Sequence, residues 1–408
     1  MANTRVQLIR GGITSVSGFL ASGIHAGIKR DGRLDLALIY SEQECALSAV
    51  MTRNRFKAAP LLLDIQHLKT PKGHAVIINS GNANACTGRQ GYQDALEMAR
   101  LTAMALGIAR RRVCVASTGV IGQPLPMDRI RRAIPLAVKG LNRRGGLRAA
   151  QAIMTTDTFP KTLCLETRLL GRRVRIAGMA KGAGMIHPRM ATLLAFVVTD
   201  AKISAGLLRL ALRKATDRSF NMITVDGDTS TNDMVLCLAN GRAMNEPIRR
   251  HSQAFDQFTH CLTILCTDLA KLIARDGEGA TKLIEINVLR AQDPQQAKGI
   301  AFAVAQSSLV KTAFFGEDPN WGRIMAAIGA SADGSRIRQD RIDIYYGETR
   351  VTHNGTGCGK GAEARARAYL KRDEVRLTID LKNGKEAARI WTADLSPEYA
   401  RINASYRT

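Results

Sequence analysis

The stretch KGAGMIHPRMATLLAFVVTDA, Lys181 to Ala201, sets a threonine, Thr192, directly after Ala191 and behind a glycine-rich approach. A threonine hydroxyl is a weak nucleophile at neutral pH and needs a base. A free α-amino group on the same residue, with a reference pKa of about 8, can supply one. That chemistry requires the Ala191–Thr192 bond to be cut first. The same residues also read as a buried strand after a loop, because Ala191 to Val198 is a run of small and apolar residues. Other chemical motifs fail on inspection. Gly329-Ala-Ser331-Ala-Asp333 lacks the last glycine of a nucleophile elbow. GTGCGKGA, from Gly355, fits a dinucleotide fingerprint only in its loosest Gly357-x-Gly359-x-x-Ala362 form, and Asn354 breaks the Walker spacing. Asp226, Asp228 and Asp233 do not have EF-hand spacing, and a turn rich in Asp and Gly accounts for them. No metal site is expected.

The elements that would position these residues mix strands and helices. Ala75 to Ile78 reads as a short buried strand running into NSGNANACTGRQG, whose Gly and Asn residues tolerate positive φ. A helix is expected from Tyr92 to about Leu106, stopped at Gly107, and Val113 to Ala116 reads as a strand ending at Ser117-Thr118-Gly119. Ser204 caps a helix through about Thr216; Leu283 to Leu289 and Val375 to Leu381 alternate as strands, the latter before a turn at Asn383-Gly384. The pattern is that of an α/β chain without repeats or a linker, so composition locates no domain boundary.

At 408 residues the chain can bury a large core. No run of about 18 apolar residues is present, and MANTRVQLIRGG lacks the apolar core of a signal peptide, so a cytoplasmic enzyme is expected. The eight cysteines are scattered, without a CxxC pair or a Cys/His zinc spacing, and read as reduced, mostly buried thiols. The net charge of +24 is uneven: residues 1 to 191 carry 29 Lys+Arg against 10 Asp+Glu, and residues 192 to 408 carry 30 against 25. The excess sits in clusters such as Arg110 to Arg112, Arg129 to Arg132, Arg143 to Arg148 and Arg172 to Arg175. It reads either as steering of anionic substrates or as an arginine bias on a solvated surface. The clusters carry no interleaved aromatics of the kind single-strand nucleic-acid binding uses, so no specific nucleic-acid partner is expected.

Beyond the Met190-Ala191-Thr192 sequence, ASTGVIG (Ala116 to Gly122), MTTDTFPK (Met154 to Lys161), FNMITVDGDTSTND (Phe220 to Asp233), ARDGEGATK (Ala274 to Lys282), VKTAFFGEDPNWGRI (Val310 to Ile324) and INASYRT (Ile402 to Thr408) follow one another in order. In these motifs the chain resembles the glutamate N-acetyltransferase family, also called ornithine acetyltransferases, over essentially its whole length. The resemblance implies a layered helix-sheet-sheet-helix fold like that of N-terminal-nucleophile enzymes. It also implies self-cleavage between Ala191 and Thr192 into an α chain, 1–191, and a β chain, 192–408, two of each assembling. Thr192 would then carry an acetyl group from N2-acetylornithine to glutamate in arginine biosynthesis. Thr118 and Gly119 match the family's oxyanion pair, although Ser-Thr-Gly alone is an ordinary strand-ending turn. Thr158, Lys181, Thr192, Glu278, Asn403 and Thr408 match its substrate-contacting positions, with Lys181 suited to a carboxylate and Glu278 to an ammonium. No metal or tightly bound cofactor is implied; some members also take acetyl-CoA as donor, but no coenzyme A fingerprint is readable.

The chain departs from the family at His187 and Arg189, where small or amide residues are usual, and in the residues that precede the Lys-Ala-Ala-Pro of Ala46 to Pro60. Two rivals stay open at this point. One is an amidohydrolase or aminopeptidase using the same threonine with water as acceptor. The other is an inactive, basic, nucleic-acid-binding protein.

Overall fold

A computed structural model describes residues 6–187 and 193–405, the side chains of 335 and 336 excepted. Among the described residues the fold is α/β, built on a nine-stranded and a seven-stranded sheet. The larger sheet runs in space Gln7–Ile9, Lys161–Leu169, Arg172–Lys181, Leu194–Thr199, Met234–Ala239, Leu36–Met51, Lys72–Asn82 and Val113–Val120, with Phe19–Ile24 also paired to Leu36–Met51.

The 16-residue strand Leu36–Met51 organises this sheet. Its first part pairs antiparallel with Lys72–Asn82, its last part with Met234–Ala239, and the register shifts between Tyr40 and Cys45. Side chains alternate faces along a strand. Ala37, Ile39, Cys45 and Leu47 therefore share an inner core with Val76, Cys114, Met179 and Phe196, closed by helix Gly146–Ala152. Leu36 and Leu38 face outward, onto helices Gly88–Leu106 and Met127–Lys139. Ala46 and Val50, outward at the far end, meet the core under helices Ala205–Asp217 and Gln253–Arg275. The result is helix on sheet, sheet on sheet, and helix again.

The smaller sheet uses only later residues, Ile223–Thr224 and the strands from Leu283 to Ala393. Its core is separate and packs helix Pro294–Gln306 on strands Leu283–Ala291 and Glu386–Ala393. The division at 191/192 does not coincide with this packing. Leu194–Thr199 and Met234–Ala239 lie inside the larger sheet, Leu194–Thr199 antiparallel to Arg172–Lys181, so the two halves share one sheet.

Several expected elements are longer than their sequence signals. The strand at Ala75 extends over Lys72–Asn82, and the helix at Tyr92 begins at Gly88, because tertiary pairing adds residues whose own pattern is neutral. Its stop holds: Gly107 caps it at φ 68°, a left-handed turn suited to glycine. Ser204 caps Ala205–Asp217, its hydroxyl accepting the Leu207 N–H. Among the described residues no helix is long and apolar enough to cross a membrane.

Candidate active site

Thr192, Ala191, Arg189 and Thr408 lie outside the described residues. The elements on either side of Ala191–Thr192 are described. Strand Arg172–Lys181 delivers Lys181 and the glycine-rich turn, and Leu194–Thr199 begins two residues after Thr192. Both ends of this connection are fixed by carboxylates. Asp226 accepts the N–H of Met185 at 2.5 Å and of Ile186 at 2.9 Å, holding Met185 at φ 60°, a conformation L-residues rarely adopt. On the far side, Asp233 Oδ1 accepts the Leu193 N–H at 2.9 Å. Its other oxygen is buried and has no hydrogen-bond partner among the described residues, and burial pushes the carboxyl well up from its usual range.

Five of the residues expected from the sequence converge beside this connection. Thr118, Gly119, Lys181 and Glu278 line one cleft of about 150 Å³, and Asn403 closes it from helix Pro397–Ser405. Such a volume suits a small metabolite, since pockets for drug-sized ligands run to roughly 300–1,000 Å³. The end of strand Val113–Val120 is pinned by Asn232, whose amide donates to the Ser117 and Ala83 carbonyls at 2.8 and 2.7 Å. Gly119 sits at φ 131° with Gly81 and Asn82 packed on it, so only glycine fits. Thr118 is 7% exposed, and its hydroxyl has no hydrogen-bond partner among the described residues, which leaves it available to the cleft.

Lys181 is buried, with its ammonium 3.8 Å from Asp157 Oδ2 and without a closer carboxylate among the described residues. Burial lowers its pKa, with Lys161 adding to the effect, against the pull of Asp157, Glu278 and Asp233. Asp157 is fully buried too. Burial alone would raise its pKa, but the Lys181 and Lys161 ammonium groups outweigh that and hold it well below the carboxylate range. Lys161 bonds Asp157 at 2.7 Å and Asp276 at 2.5 Å, so a chain of buried charges runs from Asp276 to Lys181. Glu278 accepts from the Asn403 amide at 2.8 Å, and its backbone N–H donates to the Ala183 carbonyl. Gly184 makes room for that carboxylate, because a side chain there would strike it.

Thr158 is placed elsewhere. It is exposed, its hydroxyl and N–H donate to Asp276, and it lines a neighbouring pocket with Lys29 and Arg33. Thr155 and Thr156 of the same motif line the cleft instead. Asp226, Asp228, Ser230, Asn232 and Tyr399 also line it without having been singled out as substrate contacts. All but Tyr399 lie in the FNMITVDGDTSTND motif, so the signal was present without an assigned role. Tyr399 is one helical turn before Asn403, and its hydroxyl is 3.3 Å from Asp226 Oδ2. His187, one of the unusual residues, bonds Gln306 at 2.8 Å and meets Phe302 edge-on.

The cleft therefore offers a cation, a carboxylate and a hydroxyl beside a glycine-lined strand end. The ArgJ family model matches residues 20–408. A relative from Caldanaerobacter subterraneus, an arginine biosynthesis bifunctional protein ArgJ, is 48% identical over 99% of this chain and all of its own. The protein of that name from Symbiobacterium thermophilum is 51% identical over 99% of this chain and all of its own. An ornithine acetyltransferase solved with ornithine, from Mycobacterium tuberculosis, matches at 42% identity and a TM-score of 0.42, covering 45% of this chain and 98% of its own. With one family model spanning nearly all of its length and relatives matched end to end, the chain belongs to the ArgJ family.

Proposed function

We propose that this protein is a self-processing acetyltransferase of arginine biosynthesis that moves the acetyl group of N2-acetylornithine to glutamate. The observation that carries the reading is the convergence of Lys181, Glu278 and Thr118-Gly119 on one small cleft, between the two fixed ends of the connection that holds Ala191–Thr192. In maturation the Thr192 hydroxyl attacks the Ala191 carbonyl; the peptide C–N bond breaks as an ester forms. Breaking that bond frees the Thr192 amine, and water then hydrolyses the ester to release the Ala191 carboxylate and the Thr192 hydroxyl.

In turnover that amine takes the hydroxyl proton as the oxygen attacks the acetyl carbonyl. The Thr118 hydroxyl and Gly119 N–H stabilise the oxyanion. Collapse returns the proton to the departing ornithine nitrogen and leaves acetyl-Thr192. Glutamate's amine attacks that ester, the threonine oxygen leaves with the proton, and N-acetylglutamate forms. Lys181 pairs with the substrate α-carboxylate, and Glu278, oriented by Asn403, with the substrate's cationic end. Thr158 acts through Asp276 in this scheme. Thr408 is assigned a contact at the same cleft.

The relatives' description as bifunctional fits acetyl-CoA as a second donor, with no resident metal or cofactor. A cytoplasmic location and an assembly of two α and two β chains complete the proposal. Intact-mass spectrometry of wild type beside Thr192→Ala tests the nucleophile: two fragments meeting at Ala191–Thr192 in the former and one chain in the latter are expected. An uncut wild type would overturn the reading. Acetate release from N-acetylornithine at equal rates with and without glutamate would make it a hydrolase.

A further inference from the structure

A second concavity, of about 1,070 Å³, lies along helix Ala205–Asp217 and the end of strand Leu36–Met51. Arg53, Arg209, Arg213, Arg250 and Lys298 line it against a single carboxylate, Asp217, which already accepts from the Asn221 amide. The four arginines are exposed and form no ion pair or hydrogen bond through their side chains among the described residues. Some arginines elsewhere on this surface are matched, as Arg131 is with Glu97, Arg175 with Glu166 and Arg290 with Asp380.

General basicity does not explain the grouping. Most of these cations belong to residues 192–408, where 30 basic residues stand against 25 acidic ones, and carboxylates were available to pair with them. Arg209 and Arg213 are also spaced i, i+4 on one helix, where like charges repel. Guanidinium groups left together and unpaired match an anion that supplies the missing partner, and their planar forks suit phosphate oxygens. The floor is apolar, from Ala49, Met51, Leu207 and Leu210, and no aromatic residue lines it among the described residues. That favours phosphate recognition over the base stacking that single-stranded nucleic acid requires.

The groove neighbours the cleft. Thr52, adjacent to Arg53, donates its hydroxyl to the carbonyl of Ser230, a cleft residue, and its N–H to that of Asp233. Lys298 lies over the Phe302 ring, which in turn meets His187. We propose that this groove is a binding site for a small ligand carrying two or more phosphate groups, distinct from the acetyl-transfer cleft.

The inference does not depend on the acetyl-transfer reading, because its test reads binding alone. Calorimetry with inorganic pyrophosphate, with coenzyme A and with a single-stranded RNA oligonucleotide is run on the full protein and on an Arg209→Ala/Arg213→Ala variant. Both arginines are exposed, so the variant should keep the wild-type melting temperature, and a second variant, Arg250→Ala, checks the opposite wall. Saturable pyrophosphate binding that weakens about tenfold or more in the double variant is the expected result. Coenzyme A binding well above pyrophosphate would identify a nucleotide-carried ligand, and equal affinities a free polyphosphate; both support the site. No saturable binding of either probe, equal affinity in wild type and both variants, or RNA binding that pyrophosphate fails to displace would overturn it.

Discussion

At the scale of single residues, the cleft works through groups held away from their ordinary state. Among the described residues Thr118 keeps a hydroxyl without a partner beside a backbone N–H, the arrangement a developing oxyanion needs. Thr118→Val removes the donor and keeps the shape. It should lower kcat by about a hundredfold or more, roughly 3 kcal/mol of transition-state stabilisation, with the melting temperature unchanged. Unchanged kcat would remove Thr118 from the mechanism. Asp157 is a different case, because it sits fully buried between two lysines. Asp157→Ala leaves those charges uncompensated and should cost about 3–5 kcal/mol of stability in urea melts. A loss below about 1 kcal/mol would mean that Lys161 is served by Asp276 alone.

Of these two residues only the first was legible in the sequence. Ser-Thr-Gly after an apolar strand shows its position, and the family motifs imply its role. The Asp157–Lys161–Asp276 chain joins residues 115 apart, and no local pattern reports a buried ion pair. The same gap explains Thr158: the motif MTTDTFPK marks the neighbourhood, but only the fold shows that Asp276 takes its hydroxyl and that Thr155 and Thr156 face the cleft.

At the scale of elements, the site depends on how closely two strand ends approach. Gly81 and Gly119 pair where Lys72–Asn82 and Val113–Val120 finish, and a Cβ at Gly119 would overlap the Gly81 backbone. Gly119→Ala meets both that clash and a φ of 131°, so the strand end must move. The expected outcome is soluble protein with acetyl transfer reduced at least as far as in Thr118→Val. Wild-type activity would show that the strand end can shift without cost to the oxyanion site.

Helix ends were legible because their signals are local: glycine at Gly107 and serine at Ser204 satisfy the helix's own unpaired groups. The course of Leu36–Met51 was not. Alternation tells which residues share a face, but not that one face meets a sheet along its whole length while the other meets two different pairs of helices.

At the scale of the whole molecule, buried titratable groups set a limit on the alkaline side. Cys45, Cys164 and Cys266 are pushed up to about 12 by burial, and Cys114, Cys237 and Cys261 are raised by the same cause. A group with a raised folded pKa contributes stability that is full below its unfolded value, about 8.5 for a thiol, and is lost as pH climbs toward the folded one. Lys29 and Lys311 act in the opposite sense. Burial lowers both to about 8, so their contribution rises with pH from there to about 10.4. Lys181 is lowered in the same sense, but six thiols outnumber three lysines at roughly 1.4 kcal/mol per group and pH unit, so unfolding free energy should fall between pH 9 and 10.5. Urea melts across that range check the sign, and a rise would mean that the lysines prevail.

The shared sheet has a consequence of its own. Arg172–Lys181 and Leu194–Thr199 are antiparallel neighbours with Ala191–Thr192 in the connection between them. A cut there leaves each new end anchored by a hydrogen-bonded strand, while the unfolded state becomes two separate chains. Maturation would thus change the molecularity of unfolding. The precursor, held uncut by Thr192→Ala, should melt with a weaker dependence on dilution than the mature protein, whose halves must also find each other again.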